Sequence, residues 1–272
     1  MPEGPEIRRE ADQIAAVIKG QPCLHIECTL SILAEPIKAL QGHTITDVTS
    51  HGKAMLITFD NDVVIYSHNQ LYGRWRTQDN HTRPASSRQL RLAIDTPKGS
   101  ALLYSASDIS IWHKTRLYQH PLLRKLGPDI LDNATTEDML KQRLDDDRFS
   151  GRQLASLLLD QGFVAGMGNY LRSEVLFFSG LSASRKLSML TSQEKDTLAM
   201  QLKAVAIRSY KTKGITLPLP LLEQQKKQYQ RFEDYRFAVF SRAGEPCIFC
   251  SEIIERTMVS GRRWYFCRKC QR

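Results

Sequence analysis

The sequence predicts an α+β protein on three observations. One helical repeat opens the chain, a long run of short β-rich segments follows, and a helical second half ends in two Cys-x2-Cys pairs. Ile7, Ala11, Ile14, Ala15 and Ile18 recur at helical spacing over residues 5–19, and Gly20 ends the pattern. From residue 21 to 118 the texture becomes AMLITF, VVIYS, GRWRT, LRLAI and ALLYS, separated by turn residues such as Asp60-Asn61-Asp62. Many short strands after one helix predict an antiparallel β-sandwich. Beyond residue 132 helices are expected at TEDMLKQRL, over 152–161 (RQLASLLLDQ), at YLRSEVLFFSG and over 192–209. The Lys-, Pro- and Gln-rich stretch 211–230 reads as a mobile loop. The expected organisation is a β-sandwich domain over 1–125, a linker over 126–132, a helical domain over 133–237 and a cysteine module over 238–272.

With 272 residues, 42% of them hydrophobic and 25% charged, the chain can bury a sizeable core. The start, MPEGPEIRRE, has no apolar signal core, and no stretch is apolar enough to span a membrane, so a cytosolic protein without a membrane partner is expected. The net charge of +9 is unevenly placed. Residues 1–202 hold 23 basic and 23 acidic side chains, whereas residues 203–272 hold 15 and 6. An excess confined to the last quarter points to an anionic partner, with nucleic acid first among them.

Three motifs carry chemistry. Cys247, Cys250, Cys267 and Cys270 form two knuckles separated by 16 residues, the spacing of a four-sulfur zinc site on a β-hairpin. Four thiolates leave no open coordination position, so one structural Zn2+ and no catalytic metal are expected. Ser260-Gly261-Arg262-Arg263 lies at the hairpin tip, where guanidinium groups can meet phosphate. Cys23 and Cys28 stand outside this spacing and read as buried structural thiols. At the N-terminus, a small residue at position two allows removal of Met1, exposing the secondary amine of Pro2 as a nucleophile. Glu3 is placed to act as general acid, and Glu6 to order a water or tune the site. In the third motif, Gly162, Gly166 and Gly168 let two tight turns join two helices. They also let amides approach a phosphate, with Asn169 adding a donor at the next helix start.

In this order these features resemble the formamidopyrimidine-DNA glycosylase and endonuclease VIII family. The match runs through MPEGPE, HGK at 51–53, LGPDIL at 126–131, LLDQGFVAGMGNYLRSEVL at 158–176 and the terminal finger. The resemblance implies a helix–two-turn–helix motif in the second domain and a β-hairpin zinc finger. It implies that Pro2 forms a Schiff base with the sugar carbon bearing the damaged base, and that Glu3 protonates the opening deoxyribose. Lys53 would support β-elimination and hold the phosphate beside the lesion, which Asn169, next to Gly168, would also grip. Arg262, five residues before Cys267, would contact phosphate and assist δ-elimination, with its neighbour Arg263 the alternative.

The stretch Tyr66-Ser67-His68-Asn69-Gln70-Leu71-Tyr72-Gly73 resembles the endonuclease VIII branch, in which Gln70, Leu71 and Tyr72 would fill the gap left by the everted nucleotide. That implies oxidised pyrimidines as substrate, damaged double-stranded DNA as partner and a monomeric enzyme. Lys125 stands where that branch usually has an arginine, which keeps the charge but loses the bidentate fork. A preference for oxidised purines, or binding of damaged DNA without catalysis, are the alternatives. A metal-dependent nuclease would need clustered carboxylates, and Asp145-Asp146-Asp147 reads instead as a solvated helix end.

Overall fold

In the computed structural model residues 2–272 are described, and they group into two compact units. Pro2 groups with Glu6–Lys125, and Glu3–Pro5 group with Leu126–Arg272.

In the first unit α1 (Gly4–Ile18) buries Ile7, Ala11, Ile14 and Ile18, the face that its apolar spacing defines. Eight strands follow: β1 (His25–Cys28), β2 (Ile45–His51), β3 (Ala54–Phe59), β4 (Val63–His68), β5 (Arg74–Gln78), β6 (Leu90–Thr96), β7 (Gly99–Tyr104) and β8 (Asp108–His113). They form two antiparallel four-stranded sheets, ordered β1-β6-β7-β5 and β2-β3-β4-β8. Ile26, Leu92, Ile94 and Leu103 of one sheet share a core with Ile45, Ile57, Phe59 and Ile65 of the other, so this is a sandwich. One element departs from the β-rich reading of 21–118. Ser31–Lys38 is a helix, α2, and it retains Pro36 inside it because Ile37 is fully buried in the same core. Burial pushes the Cys23 thiol up to about 12, with the nearby Asp95 carboxylate adding to the effect, and raises Cys28 as well. Cys23 is thus the buried thiol expected, whereas Cys28 is only half-buried.

The second unit contains α3 (Glu137–Leu144), α4 (Asp147–Ser150), α5 (Leu154–Leu157), α6 (Asn169–Phe178), α7 (Ser192–Lys211), α8 (Leu219–Gln228) and α9 (Phe232–Tyr235), then the hairpin β9 (Glu255–Val259) and β10 (Arg262–Phe266). Thr191 and Glu194 make a reciprocal capping box at the start of α7. Asp146 caps α4 and pairs with Arg148, as at a helix end.

Two expectations are corrected here. The helix expected over 152–161 is only the four residues of α5, because the chain must turn from Leu159 onward to build the two turns before α6. The stretch 211–230 is not a mobile loop. It contains α8, entered through Pro218 and Pro220 and anchored by buried Leu222 and Gln225. Residues 126–132, read as the linker, group with the second unit. Ile130 is fully buried, and the Asp129 carboxylate accepts the Leu131 amide at 2.8 Å.

Glu174, in the middle of α6, is fully buried and ties three segments together. Its carboxylate accepts the backbone amides of Ala238 (2.8 Å), Val239 (2.9 Å) and Phe240 (2.8 Å) and the Thr216 hydroxyl (2.5 Å). Burial pushes this carboxyl up, and the four donors pull against it. Glu174→Gln turns one acceptor into a donor aimed at N–H groups. The variant is expected to lose about 2–4 kcal/mol of stability, read as a lower urea midpoint; an unchanged midpoint would show that the clamp adds nothing.

Candidate active site and nucleic-acid interface

The second unit brings together Glu3, Gly168, Asn169 and the arginines of the finger hairpin. The two turns before α6 are fixed by Gln161, whose carboxamide donates to the carbonyls of Leu159 (3.1 Å) and Met167 (2.8 Å) and accepts the Gly166 amide (3.1 Å). The turns deliver Gly168 to the N-terminus of α6, and there the Glu3 carboxylate accepts the amides of Tyr170 (2.8 Å) and Leu171 (3.2 Å). An anion at this position satisfies amides that lack intrahelical partners and complements the helix dipole. Gly168 has no φ requirement; its reason is space. A Cβ there would lie 2.2 Å from the Glu3 carboxyl carbon.

Asn169 does not project freely. Its Nδ2 donates to the Arg263 carbonyl at 2.9 Å, and its Oδ1 accepts from Arg172 at 2.8 Å. Arg172, three residues on and fully buried, also donates to the carbonyls of Ala155 (3.1 Å) and Arg263 (3.2 Å). Desolvation lowers its guanidinium to about 10, the nearby Arg262 charge adds to that, and Glu3 opposes it. Helix α6 and the hairpin are thus bound through one backbone carbonyl. The hairpin turns at Ser260 (φ 51°) and Gly261 (φ 70°), between paired Val259 and Arg262. Positive φ at both central residues is the type I′ turn. Arg262 and Arg263 are therefore the first residues of β10 rather than the tip itself, and both side chains are exposed. With Asn169, Phe240, Ser241 and Tyr265 they line a cleft of about 380 Å³. Its exposed guanidinium groups and amide donor suit an anion such as phosphate.

The four finger thiols meet as their spacing predicts. Their sulfur atoms all lie within 4.8 Å of one another, with Cys247–Cys270 at 3.8 Å and Cys250 at 3.4 Å from both Cys267 and Cys270. A tetrahedral ion with bonds of about 2.3 Å to sulfur needs edges of about 3.8 Å, whereas a disulfide needs about 2.05 Å. The donor set fits a structural metal ion.

The first unit holds Pro2, Glu6, Lys53, the Gln70–Tyr72 triplet and Lys125. Pro2 is half-buried. Glu6 is half-buried too and pairs with Arg9 at 3.3 Å. Lys53 sits in the tight turn between His51 and Ala54, which pair across β2 and β3. Its charge reaches His68, whose imidazole is lowered mainly by burial. Lys125 is exposed at the last residue of this unit. Leu71 and Tyr72 are 60% and 70% exposed, so they are not strand-end core residues.

Sequence reasoning missed Arg172, Glu174, Gln161 and Asn69 as organisers of these sites. Arg172 had a signal, since it lies three residues from Asn169 on the same helical face. Asn69 and Gln161 had none, because their partners are fixed only in the folded chain.

The model of the formamidopyrimidine-DNA glycosylase N-terminal domain matches residues 1–107, and that of the formamidopyrimidine-DNA glycosylase H2TH domain matches residues 126–219. Endonuclease 8 of Shigella sonnei (strain Ss046) is 44% identical over 271 residues, covering 100% of both chains. Endonuclease 8 of Escherichia coli O9:H4 (strain HS) matches to the same extent. Among solved structures, Lactococcus lactis Fpg in complex with an abasic site containing DNA superposes with a TM-score of 0.82. That match has 22% identity over 99% of each chain, and it shows the shared fold. Full-length identity at this level, with both domain models in sequence order, shows the relationship. The chain belongs to the formamidopyrimidine-DNA glycosylase and endonuclease 8 family, DNA glycosylases with abasic-site lyase activity that act on oxidised bases in base excision repair.

Proposed function

We propose that this enzyme removes oxidised pyrimidines such as thymine glycol from duplex DNA and then cuts the strand by β,δ-elimination. The observation that carries this reading is the Glu3 carboxylate, oriented by two amides of α6 and one residue away from Pro2. With Met1 removed, Pro2 is a secondary amine with a pKa near ~8, appreciably unprotonated at neutral pH. Its lone pair attacks C1′ of the damaged nucleotide. The C1′–N bond breaks, its electron pair leaves with the base, and the base takes a proton from solvent. The nitrogen, now cationic, releases its own proton to Glu3. The nitrogen lone pair then forms the C1′ iminium as the C1′–O4′ bond breaks, and Glu3 passes the proton to O4′.

A proline iminium has no N–H to lose, so it stays cationic and acts as an electron sink. Loss of a C2′ proton expels the 3′ phosphate, loss of a C4′ proton expels the 5′ phosphate, and water releases Pro2 from the remaining sugar fragment. Lys53 supports the β-elimination by balancing phosphate charge. Asn169 donates to phosphate with the Nδ2 proton that does not face Arg263. Arg262, with Arg263 as its alternative, contacts phosphate and assists the δ-elimination. Glu6 tunes the N-terminal site, and Lys125 adds a phosphate contact. The exposed Leu71 and Tyr72, with Gln70, fill the space vacated by the everted nucleotide, which offsets part of the stacking lost. Zn2+ held by Cys247, Cys250, Cys267 and Cys270 would fix the hairpin bearing Arg262 and supply no reaction step. The enzyme acts as a monomer in the bacterial cytosol, and 126–132 joins its catalytic and DNA-binding domains.

Borohydride added during reaction with abasic DNA is expected to trap a covalent complex on Pro2. Mapping of the adduct to a lysine would overturn the nucleophile, and a protein that binds but never traps would be a silent binder. A duplex panel should show thymine glycol and dihydrouracil excised faster than 8-oxoguanine, and the reverse order would move the enzyme to oxidised purines. Cys247→Ser should reduce zinc from one equivalent per chain to near zero by elemental analysis and abolish DNA binding. Retention of both would defeat the zinc reading.

A further inference from the structure

The loop carrying Gln70, Leu71 and Tyr72 leaves β4 of one sheet at His68 and enters β5 of the other sheet through Gly73. It is fastened at several points. The Asn69 carbonyl accepts the Gly73 amide at 2.7 Å, and a Cβ on Gly73 would lie 2.5 Å from that same oxygen. The Gln70 amide donates to His68 Nδ1 at 3.1 Å, and the Gln70 carboxamide oxygen accepts the Ser107 hydroxyl at 3.1 Å. Arg88 donates to the Tyr72 carbonyl. Gln70 itself is held at φ 51°, left-handed backbone that a non-glycine residue adopts only under constraint.

The fastening that reaches α1 is made by Glu10. This residue lies on α1, and its Oε2 accepts Asn69 Nδ2 at 2.7 Å. Asn69 is buried at 3% exposure, so its carboxamide has little access to water as a substitute partner. We propose that Glu10 is the positioning residue of the Gln70–Tyr72 loop: by holding Asn69 it fixes the left-handed turn that presents Leu71 and Tyr72. This rests on the reading of that loop as the filler of the vacated space. Burial pushes the Glu10 carboxyl up to about 7, with Glu6 adding to the rise and the Asn69 bond, Arg74 and Arg9 opposing it. Charged or neutral, Glu10 keeps an acceptor oxygen for Asn69, which makes glutamine the conservative replacement.

The test uses the full chain and four variants. Glu10→Ala removes the acceptor. Asn69→Asp sets two carboxyl groups against each other. Glu10→Gln/Asn69→Asp reverses donor and acceptor and remakes the bond. Leu71→Ala/Tyr72→Ala removes the filler itself. Amide hydrogen exchange over residues 69–73 is expected to rise about tenfold in Glu10→Ala and Asn69→Asp, and to return to within about threefold of the parent in the swapped pair. Single-turnover excision of thymine glycol from a duplex should fall about tenfold in the same two variants and recover in the swapped pair. Unchanged exchange in Glu10→Ala, or no rescue by the swap, overturns the proposal. If Leu71→Ala/Tyr72→Ala leaves excision intact while exchange still follows Glu10, the filler reading fails and the positioning role stands. If excision falls in Leu71→Ala/Tyr72→Ala but exchange ignores Glu10, the filler reading stands and the proposal falls.

Discussion

The seat of Glu3 on the first amides of α6 is the constraint from which the rest of the site follows. Two amides that would otherwise lack partners take one carboxylate oxygen each. That pairing explains why the residue before α6 is Gly168, where no side chain leaves room for Glu3. It also explains the form of the two turns, whose polar groups are consumed by Gln161 and so cannot compete for the carboxylate. A helix start that serves as an anion seat must be held rigidly, because its charge complementarity decays within about one turn.

Rigidity comes from a side chain one turn further along the same helix. Arg172 is fully buried, yet its guanidinium meets two carbonyls and the Asn169 carboxamide. Desolvation disfavours that charge, and Arg262 disfavours it further, while Glu3 helps to compensate. A buried arginine at that position links the carboxylate seat to the hairpin without a direct contact between their side chains. Glu174, two residues on, performs the complementary task with acceptors in place of donors. It gathers the amides of 238–240 at the start of the cysteine module. One ten-residue helix thus orients the N-terminal carboxylate, the finger hairpin and the segment entering the finger.

In the proposed mechanism, fixing these groups in advance accelerates reaction. Orientation of a nucleophile beside a proton carrier removes entropic cost from the chemical step, and oriented amides need no reorganisation when charge develops. In the proposed reading the exposed Arg262 and Arg263 side chains meet a strongly charged polymer, whose released counterions supply sequence-independent affinity. The buried polar groups hold geometry, and the exposed cations are the groups proposed to meet the ligand.

Much of this was legible in the sequence, where the code is local. The four cysteines announced their cluster because two knuckles at fixed spacing have few other uses. Apolar spacing announced α1, alternation announced five of the eight sandwich strands, and Gly166 and Gly168 marked the turns before α6. Pro2, Glu3, Lys53 and Asn169 were legible as motif residues. What they touch was not, because the Tyr170 amide that holds Glu3 lies 167 residues away and the Arg263 carbonyl that holds Asn169 lies 94 away. Composition misled where burial overrode it. Pro36 sits inside α2, and the Pro- and Gln-rich stretch 211–230 folds into α8, since a few apolar contacts outweigh weak local preferences. The sequence by itself determined the family and the four-cysteine cluster, because both are written as residue types at short spacing. Only the tertiary structure decided how those groups are held, because a buried carboxylate or guanidinium takes its partners from whichever distant backbone the packed core brings beside it.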